Sequence, residues 1–390
     1  MTLNLSKEKE ILDALLNFEV PIIPSKTRFW MIRTQNGFFY EEFLAKRFVA
    51  LAWNNIDKLT DFSEQSKEHL YDDITLKYPT IKRPSTVINK CKHFIHEIAV
   101  DDILVIPSQG SRFITFAKAG QYYEDDTKTV ELENVIINRI KDHEAYINEV
   151  SCPYKKRRHI KLLRTIKSED LNYSLYRAIS NYHGISNFDA YSFQILNELY
   201  NCYSFQNNVT IVYNIRKTSP IKPSELSELI YGNTKYLLQL IPEEHISTQV
   251  SLNSPGDLVY LLENMYEFAI TNWKFFLGLL IFLGGGSALS FQVPGLIDII
   301  KSIWNAPNDL KAKKLETESQ ELDIALKKVE LLNKIKEAGI DPTSLDLPLT
   351  LISQSASALS AEPIILRDDD SSIPQTGVED TEFPDTDEDI

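Results

Sequence analysis

His93 and His96 stand three apart, with Cys91 just upstream and Glu97 next in line. On a helix that spacing brings two imidazoles toward one metal ion, but no other segment supplies a third and fourth ligand at matching spacing, so no metal site is expected. The cysteines, Cys91, Cys152 and Cys202, are isolated from one another and from any local histidine arrangement, which excludes a CxxC redox pair, a disulfide framework and a nucleophilic dyad legible in sequence. Gly284-Gly285-Gly286 lacks the Lys-Ser/Thr that would follow in a phosphate loop. No pair of acids followed by acid-x-Lys points to a nuclease. Neither a catalytic constellation nor a cofactor is expected, and whether the chain is an enzyme stays open. The concentrated positive charge lies in Lys155, Lys156, Arg157 and Arg158, continued by His159, Lys161 and Arg164. Such a cluster either neutralises phosphates, with salt-sensitive binding as the consequence, or is a solvated basic loop.

The elements that would position these residues change character along the chain. Ile11, Leu12, Leu15, Leu16 and Phe18 have helical spacing and lead into an extended Val20-Pro21-Ile22-Ile23-Pro24, so residues 1–25 read as a helix and linker. Phe29–Arg33 and Phe48–Trp53 read as strands, with a short helix or a further strand over Phe39–Arg47 between them. Asp61–Lys77 and Thr86–Ile98 read as helices, the latter with Val87, Ile88, Cys91, Phe94 and Ile98 on one face. Asp102–Pro107, the turn Ser108–Ser111 and Arg112–Gly120 form a hairpin. Thr129–Ile140 and His159–Ile166 are further strand candidates, separated by Asp142–Arg158. Together these predict a small closed or half-closed barrel with inserted helices.

The order of Phe29–Arg33, Val49–Trp53, a helix ending His93-Phe94-Ile95-His96-Glu97-Ile98, the loop Val100–Pro107, a strand ending Ala119-Gly120-Gln121-Tyr122 and the later Arg157–Leu163 resembles the PUA-like superfamily. The nearest branch is the EVE-type domain and its relatives at the front of modification-dependent restriction proteins. The resemblance covers residues 26–170. That family often has Gly-Asp where this chain has Asp101-Asp102, and a Trp where Leu162 or Leu163 stands. The resemblance implies a shallow, aromatic-lined pocket for a modified or flipped base or a nucleotide-like ligand. By position Trp30, Trp53, Phe116 and Tyr122 would line it and Arg33 would make a polar or phosphate contact, with Lys155–Arg158 beside it. The same aromatic residues also suit a barrel core, because a small barrel fills its interior with large side chains.

Residues 171–272 read as an α+β connector, with helices over Leu171–Ser180 and Asp189–Tyr200, a strand at Val209–Tyr213 and a helix starting at Lys222-Pro223. Phe275–Ile297 then runs twenty-three residues without a charge. At about 1.5 Å per residue it is long enough for an apolar bilayer core of roughly 30 Å. Lys311, Lys313 and Lys314 argue that the C-terminal side is cytoplasmic, and the absence of an export signal argues the same for the N-terminal side. Gly284–Gly286 and Pro294 reconcile the two by breaking the run into a re-entrant hairpin over residues 273–304, with Phe275, Phe276, Leu279, Leu280 and Phe282 facing lipid. The other reading is a helical hairpin buried in a core or an oligomer interface. Leu315, Leu322 and Val329 stand seven apart in an amphipathic or coiled-coil helix over 305–340 and offer a homo-oligomer seam.

The formal net charge is −14, yet Asp368–Asp389 alone carries ten acids and no base. Residues 341–390 therefore read as a disordered acidic tail, either a docking peptide for a protein partner or a solubilising one. The expectation is an α+β protein in the cytoplasm, at the inner face of the cell membrane if the hairpin inserts. Its front domain would bind a nucleotide or modified nucleic acid, in keeping with an antiviral defence role. The alternative is a soluble oligomeric scaffold with no nucleic-acid ligand.

Overall fold

The computed structural model describes residues 5–146, 149–182, 184–251, 256–271, 274–284, 296–304, 306–307, 319–364 and 366. They form two compact units, one built on Thr27–Ile195 and the other on Met1–Lys26 together with Leu196–Ile365. The class is α+β, with two mixed sheets. Helix α1 (Leu5–Leu16) and the short strand β1 (Ile22–Ile23) open the chain and belong to the second unit.

The first unit contains β2 (Phe29–Arg33), α2 (Tyr40–Lys46), β3 (Phe48–Leu51), α3 (Lys67–Lys77), α4 (Pro84–Lys92), β4 (Ile103–Pro107), β5 (Phe113–Glu124), α5 (Val130–Lys141), β6 (Lys156–Lys167), α6 (Tyr173–Asn181) and β7 (Gly184–Asn187). Its sheet runs β3-β6-β5-β4-β2-β7, antiparallel except for the parallel pair β2/β4. β2 and β4 are short apolar runs whose residues are almost all buried, as interior strands require. Register shifts in β5 at Phe116/Ala117 and Ala119/Tyr122 bend the sheet. The bend closes it to a half-barrel, and the Thr34 hydroxyl, just past β2, donates to the Ala50 carbonyl of β3 at 2.6 Å. Gly37, at φ 85°, lets the turn after β2 lie on the turn after β4, where a β-carbon would stand 2.6 Å from the Ser108 carbonyl carbon.

Two expectations change here. Thr129–Ile140 is helix α5, because the Thr129 hydroxyl caps it by accepting from the Leu132 N–H at 3.2 Å, and Ile136, Ile137 and Ile140 share the face that leans on the core. The unit also continues past residue 170, because β7 pairs with β2 from Arg33–Gly184 to Trp30–Asn187.

The second unit contains α7 (Ser192–Leu199), which starts at the boundary, β8 (Cys202–Phe205), β9 (Asn208–Ile215), α8 (Pro223–Leu237), β10 (Ile246–Val250), β11 (Gly256–Leu262), α9 (Tyr266–Ile270), α10 (Lys274–Leu283), α11 (Leu296–Trp304), α12 (Ser319–Glu337), α13 (Asp346–Ala358) and β12 (Ala361–Glu362). Its sheet runs β1-β8-β9-β11-β10, with β12 also on β9. Phe275, Phe276, Leu279, Leu280 and Phe282, expected to face lipid, are instead core residues of this unit: α10 is buried all round. The Tyr236 hydroxyl donates to the Phe276 carbonyl at 3.0 Å, and Phe18 meets the Phe282 ring edge-on. A ten-residue helix spans about 15 Å, and among the described residues no helix is long and apolar enough to cross a membrane. Of the rest of the expected hairpin, Leu296–Trp304 is α11, which buries Ile299, Ile300 and Ile303 in the same core, and residues 285–295 lie outside the described residues.

A core position makes a measurable demand. Leu279→Ala is expected to lower the unfolding free energy by about 2–3 kcal/mol in urea titrations, through lost burial and a residual cavity. A lipid-facing leucine would show no such loss in detergent-free buffer.

The expected seam is redistributed in the same way. α12 buries Ile324, Lys328, Leu331 and Ile335 at helical spacing, while Leu322 and Val329 are only partly buried and Leu315 lies outside the described residues. Its partner is α1 of the same chain, with ion pairs Lys9–Asp323 at 2.7 Å and Lys328–Glu8 at 2.6 Å. The expected disordered tail over 341–390 is corrected in its first half: α13 buries Leu349 and Ile352 in the core of this unit and β12 pairs with β9, because these residues carry apolar side chains at helical spacing, while the acidic stretch from Asp368 onward lies outside the described residues.

Candidate functional site

Trp53 follows β3 with φ 67°, in the left-handed region that a bulky residue rarely adopts. That conformation costs roughly 1–2 kcal/mol and persists only where neighbours over-determine it. Here they do. The Glu133 carboxylate of α5 accepts the Trp53 N–H at 2.7 Å and, on its other oxygen, the Asn54 N–H and the Tyr78 hydroxyl, both at 2.8 Å. Lys156 Nζ donates to the Trp53 carbonyl at 2.6 Å and to the Ile56 carbonyl at 2.9 Å. The Asn54 side chain donates to the Thr129 and Pro153 carbonyls and accepts the Lys155 N–H.

One buried carboxylate and one buried ammonium thus grip the two sides of the Trp53 residue, Glu133 being 4% exposed and Lys156 0%. Burial raises the Glu133 carboxyl above its ordinary value, an effect its donors partly offset. Burial likewise lowers the Lys156 ammonium, against the pull of nearby Cys91, Glu133 and Glu124. Trp53 is partly buried and packs against the edge of the core.

The loop after Trp53 is fastened to the end of β5. The Lys58 N–H donates to Glu124 Oε1 at 2.7 Å, and the Tyr122 hydroxyl donates to the same oxygen at 2.7 Å. Lys155 Nζ joins Asp57, Glu124 and Asp126 at 3.2–3.5 Å. Burial, followed by the Glu124 contact, keeps the Tyr122 phenol far above its ordinary value, so it remains a donor. Its ring is partly buried, edge-on to Phe94, with the Arg158 guanidinium 5.6 Å from its centre. Trp53 and Tyr122 are therefore two partly buried aromatic residues on one tied framework.

The other expected pocket residues separate from them. Trp30 and Phe116 are fully buried. Trp30 donates its indole N–H to Asp102 at 3.1 Å and has Arg28 over its ring at 4.5 Å, which leaves no face for a ligand. Arg33 lies at the opposite end of β5 from Tyr122, its Nη2 donating to Ser111 Oγ at 2.5 Å and to the Ile179 carbonyl at 3.0 Å.

The basic cluster is corrected from a loop to the start of strand β6, with Lys155 just before it, and its charges are engaged by this chain. Lys155 has three carboxylates and Lys156 two carbonyls. Arg157 meets the Tyr154 and Cys152 carbonyls, Asp125 and the Phe48 ring. Arg158 donates to the Phe94, Ile95 and Gly120 carbonyls, capping the π-helical turn His93–Glu97, and burial pushes its guanidinium down to about 10. Strand alternation turns Lys156 and Arg158 inward, so these four do not form a phosphate-facing surface.

His93 and His96 diverge, the first toward Trp30 and the second toward Phe62. Among the described residues no group of three or more His, Cys, Asp or Glu is placed to hold a metal ion. The three cysteines are buried, and burial pushes Cys91 up to about 11 and Cys202 up to about 12, keeping both thiols protonated at neutral pH. Reading the sequence missed Glu133, Tyr78 and Asn54. Glu133 was hidden by the strand reading of Thr129–Ile140, although Thr129 followed by Glu131 and Glu133 is a helix N-terminal signal. No protein-family model, curated protein or solved structure matches this chain.

Proposed function

We propose that the Thr27–Ile195 unit is a recognition module that stacks a planar, base-like group, a nucleotide or a modified nucleobase, on Trp53 beside Tyr122. The single observation behind this reading is the left-handed Trp53, a strained aromatic residue held by two buried ions and presented at the surface of the core. Strain of this kind concentrates at ligand clamps, and an aromatic face suits any base. The PUA-like resemblance agrees in two respects. The sheet curls into a half-barrel, and Asp101, standing where that family often has glycine, has φ 70°, a conformation glycine adopts freely and aspartate tolerates. A defence role follows from the resemblance alone. Membrane attachment is not part of the proposal, because the five side chains meant for lipid build the core of the other unit.

The test is titration of nucleosides and short single-stranded oligonucleotides, with unmodified and modified bases, followed by calorimetry. Trp53→Ala should weaken binding by about 1–3 kcal/mol, while Arg33→Ala should leave affinity unchanged. With Lys155–Arg158 occupied internally, affinity should vary little with salt. Failure of every such ligand to bind, or equal affinity of the Trp53→Ala variant, would remove the reading and leave a protein-binding scaffold in first place.

A further inference from the structure

β10 ends its sheet. It pairs with β11 on one side, and among the described residues no strand pairs with the other. Its register decides which backbone groups face outward. The Ser251 N–H donates to the Asp257 carbonyl at 2.9 Å, and the Glu263 N–H donates to the His245 carbonyl at 2.8 Å. By antiparallel alternation Ser247 and Gln249 turn their N–H and C=O toward β11, while Ile246, Thr248 and Val250 turn theirs to the open edge. Natural edges are usually blunted by charge, proline, a bulge or a cover. The segment Ile246-Ser247-Thr248-Gln249-Val250 carries no charge and no proline, and its register is unbroken. The core face is also unfinished there: Leu258, Tyr260 and Leu262 are fully buried, but Val250, opposite Leu258, is 38% exposed.

We propose that β10 is a self-pairing strand through which two copies of this chain join edge to edge, antiparallel, about a twofold axis at Thr248. In that register every outward residue finds a partner: Thr248 meets its own copy, and Ile246 meets Val250 in both directions. Each such pair exchanges two backbone hydrogen bonds. The side chains match as well. Ile246 lies against Val250 and Thr248 against Thr248 on the face that continues the core, and Ser247 lies against Gln249 on the other, all favourable cross-strand pairs. The strand is thus complementary to itself, as an isologous interface requires. The strip itself carries no formal charge on a chain of net charge −14, and the nearby Glu263 carboxylate is held by the Ser247 hydroxyl at 2.8 Å. The pairing does not depend on any ligand at Trp53.

Sedimentation of the full chain over a range of micromolar concentrations should show a monomer–dimer equilibrium. Thr248→Lys, which sets two ammonium groups opposite each other at the axis, should weaken the dimer by about tenfold or more. In Thr248→Cys the facing α-carbons stand about 5.5 Å apart, within disulfide reach. The native cysteines are buried, so mild oxidation should give a covalent dimer through residue 248. A chain that stays monomeric overturns the proposal. So does a dimer that Thr248→Lys leaves intact and Thr248→Cys fails to cross-link.

Discussion

Glu133→Ala is expected to lower the unfolding free energy by about 3–5 kcal/mol, the range for breaking a buried charged network by removing one member. The carboxylate satisfies three donors at 2.7–2.8 Å, the N–H groups of Trp53 and Asn54 and the Tyr78 hydroxyl. Alanine leaves all three unpaired and removes one of the carboxylates that favour the buried Lys156 ammonium. Left-handed Trp53 then loses half of its restraint. Base binding should fall with stability, and Trp53→Gly should separate the two effects, since glycine accepts φ 67° without strain yet offers no ring. Denaturant titration checks the first part. Because Glu133 and Lys156 act on the same residue, the Glu133→Ala, Lys156→Met double variant should lose less than the sum of the single variants. A loss below about 1 kcal/mol for Glu133→Ala would mean that the network does not hold the loop, since an ordinary hydrogen bond contributes that much.

Asp102→Ala comes next, at about 3–5 kcal/mol, the range for breaking a buried hydrogen-bonded charged network by removing one member. Asp102 is 2% exposed, and its carboxylate accepts from the Arg28 N–H at 3.0 Å, the Trp30 indole N–H at 3.1 Å and the Ala99 N–H at 2.8 Å. These tie the start of β2 to the loop before β4, the place where the parallel pair begins with Phe29 opposite Ile103. Asp102→Asn keeps one carbonyl oxygen and should fall between wild type and alanine. Thermal unfolding followed by near-ultraviolet circular dichroism reads both effects, since Trp30 is fully buried beside Asp102. Equal stability of Asp102→Ala and wild type would show that Trp30 is positioned by packing alone.

Trp30 illustrates how far a sequence reading reaches. Its strand was legible, because four consecutive large apolar residues followed by arginine suit a buried strand and little else. Its role was not, since ligand platform and core filler have the same composition. The same holds for α10. Twenty-three uncharged residues are long enough for a bilayer by length alone, yet the described part, Lys274–Leu283, is spent inside a folded unit, with Tyr236 reaching its backbone. Hydropathy reports how much apolar surface must leave water, not what it leaves water for.

Local chemistry alone therefore determined the existence of β2, β4, β5 and α1. Alternation, helical spacing and ligand spacing are properties of neighbours in the chain. Only the tertiary structure decided that Lys155–Arg158 are internal, that Trp53 is held left-handed, and that Glu133 holds it from 80 residues away. Those outcomes depend on which strand meets which helix, and the choice is made by burial of the whole core. A lysine on a surface loop and one donating to two buried carbonyls look the same in sequence, because what distinguishes them is their distance from water and from partners far along the chain.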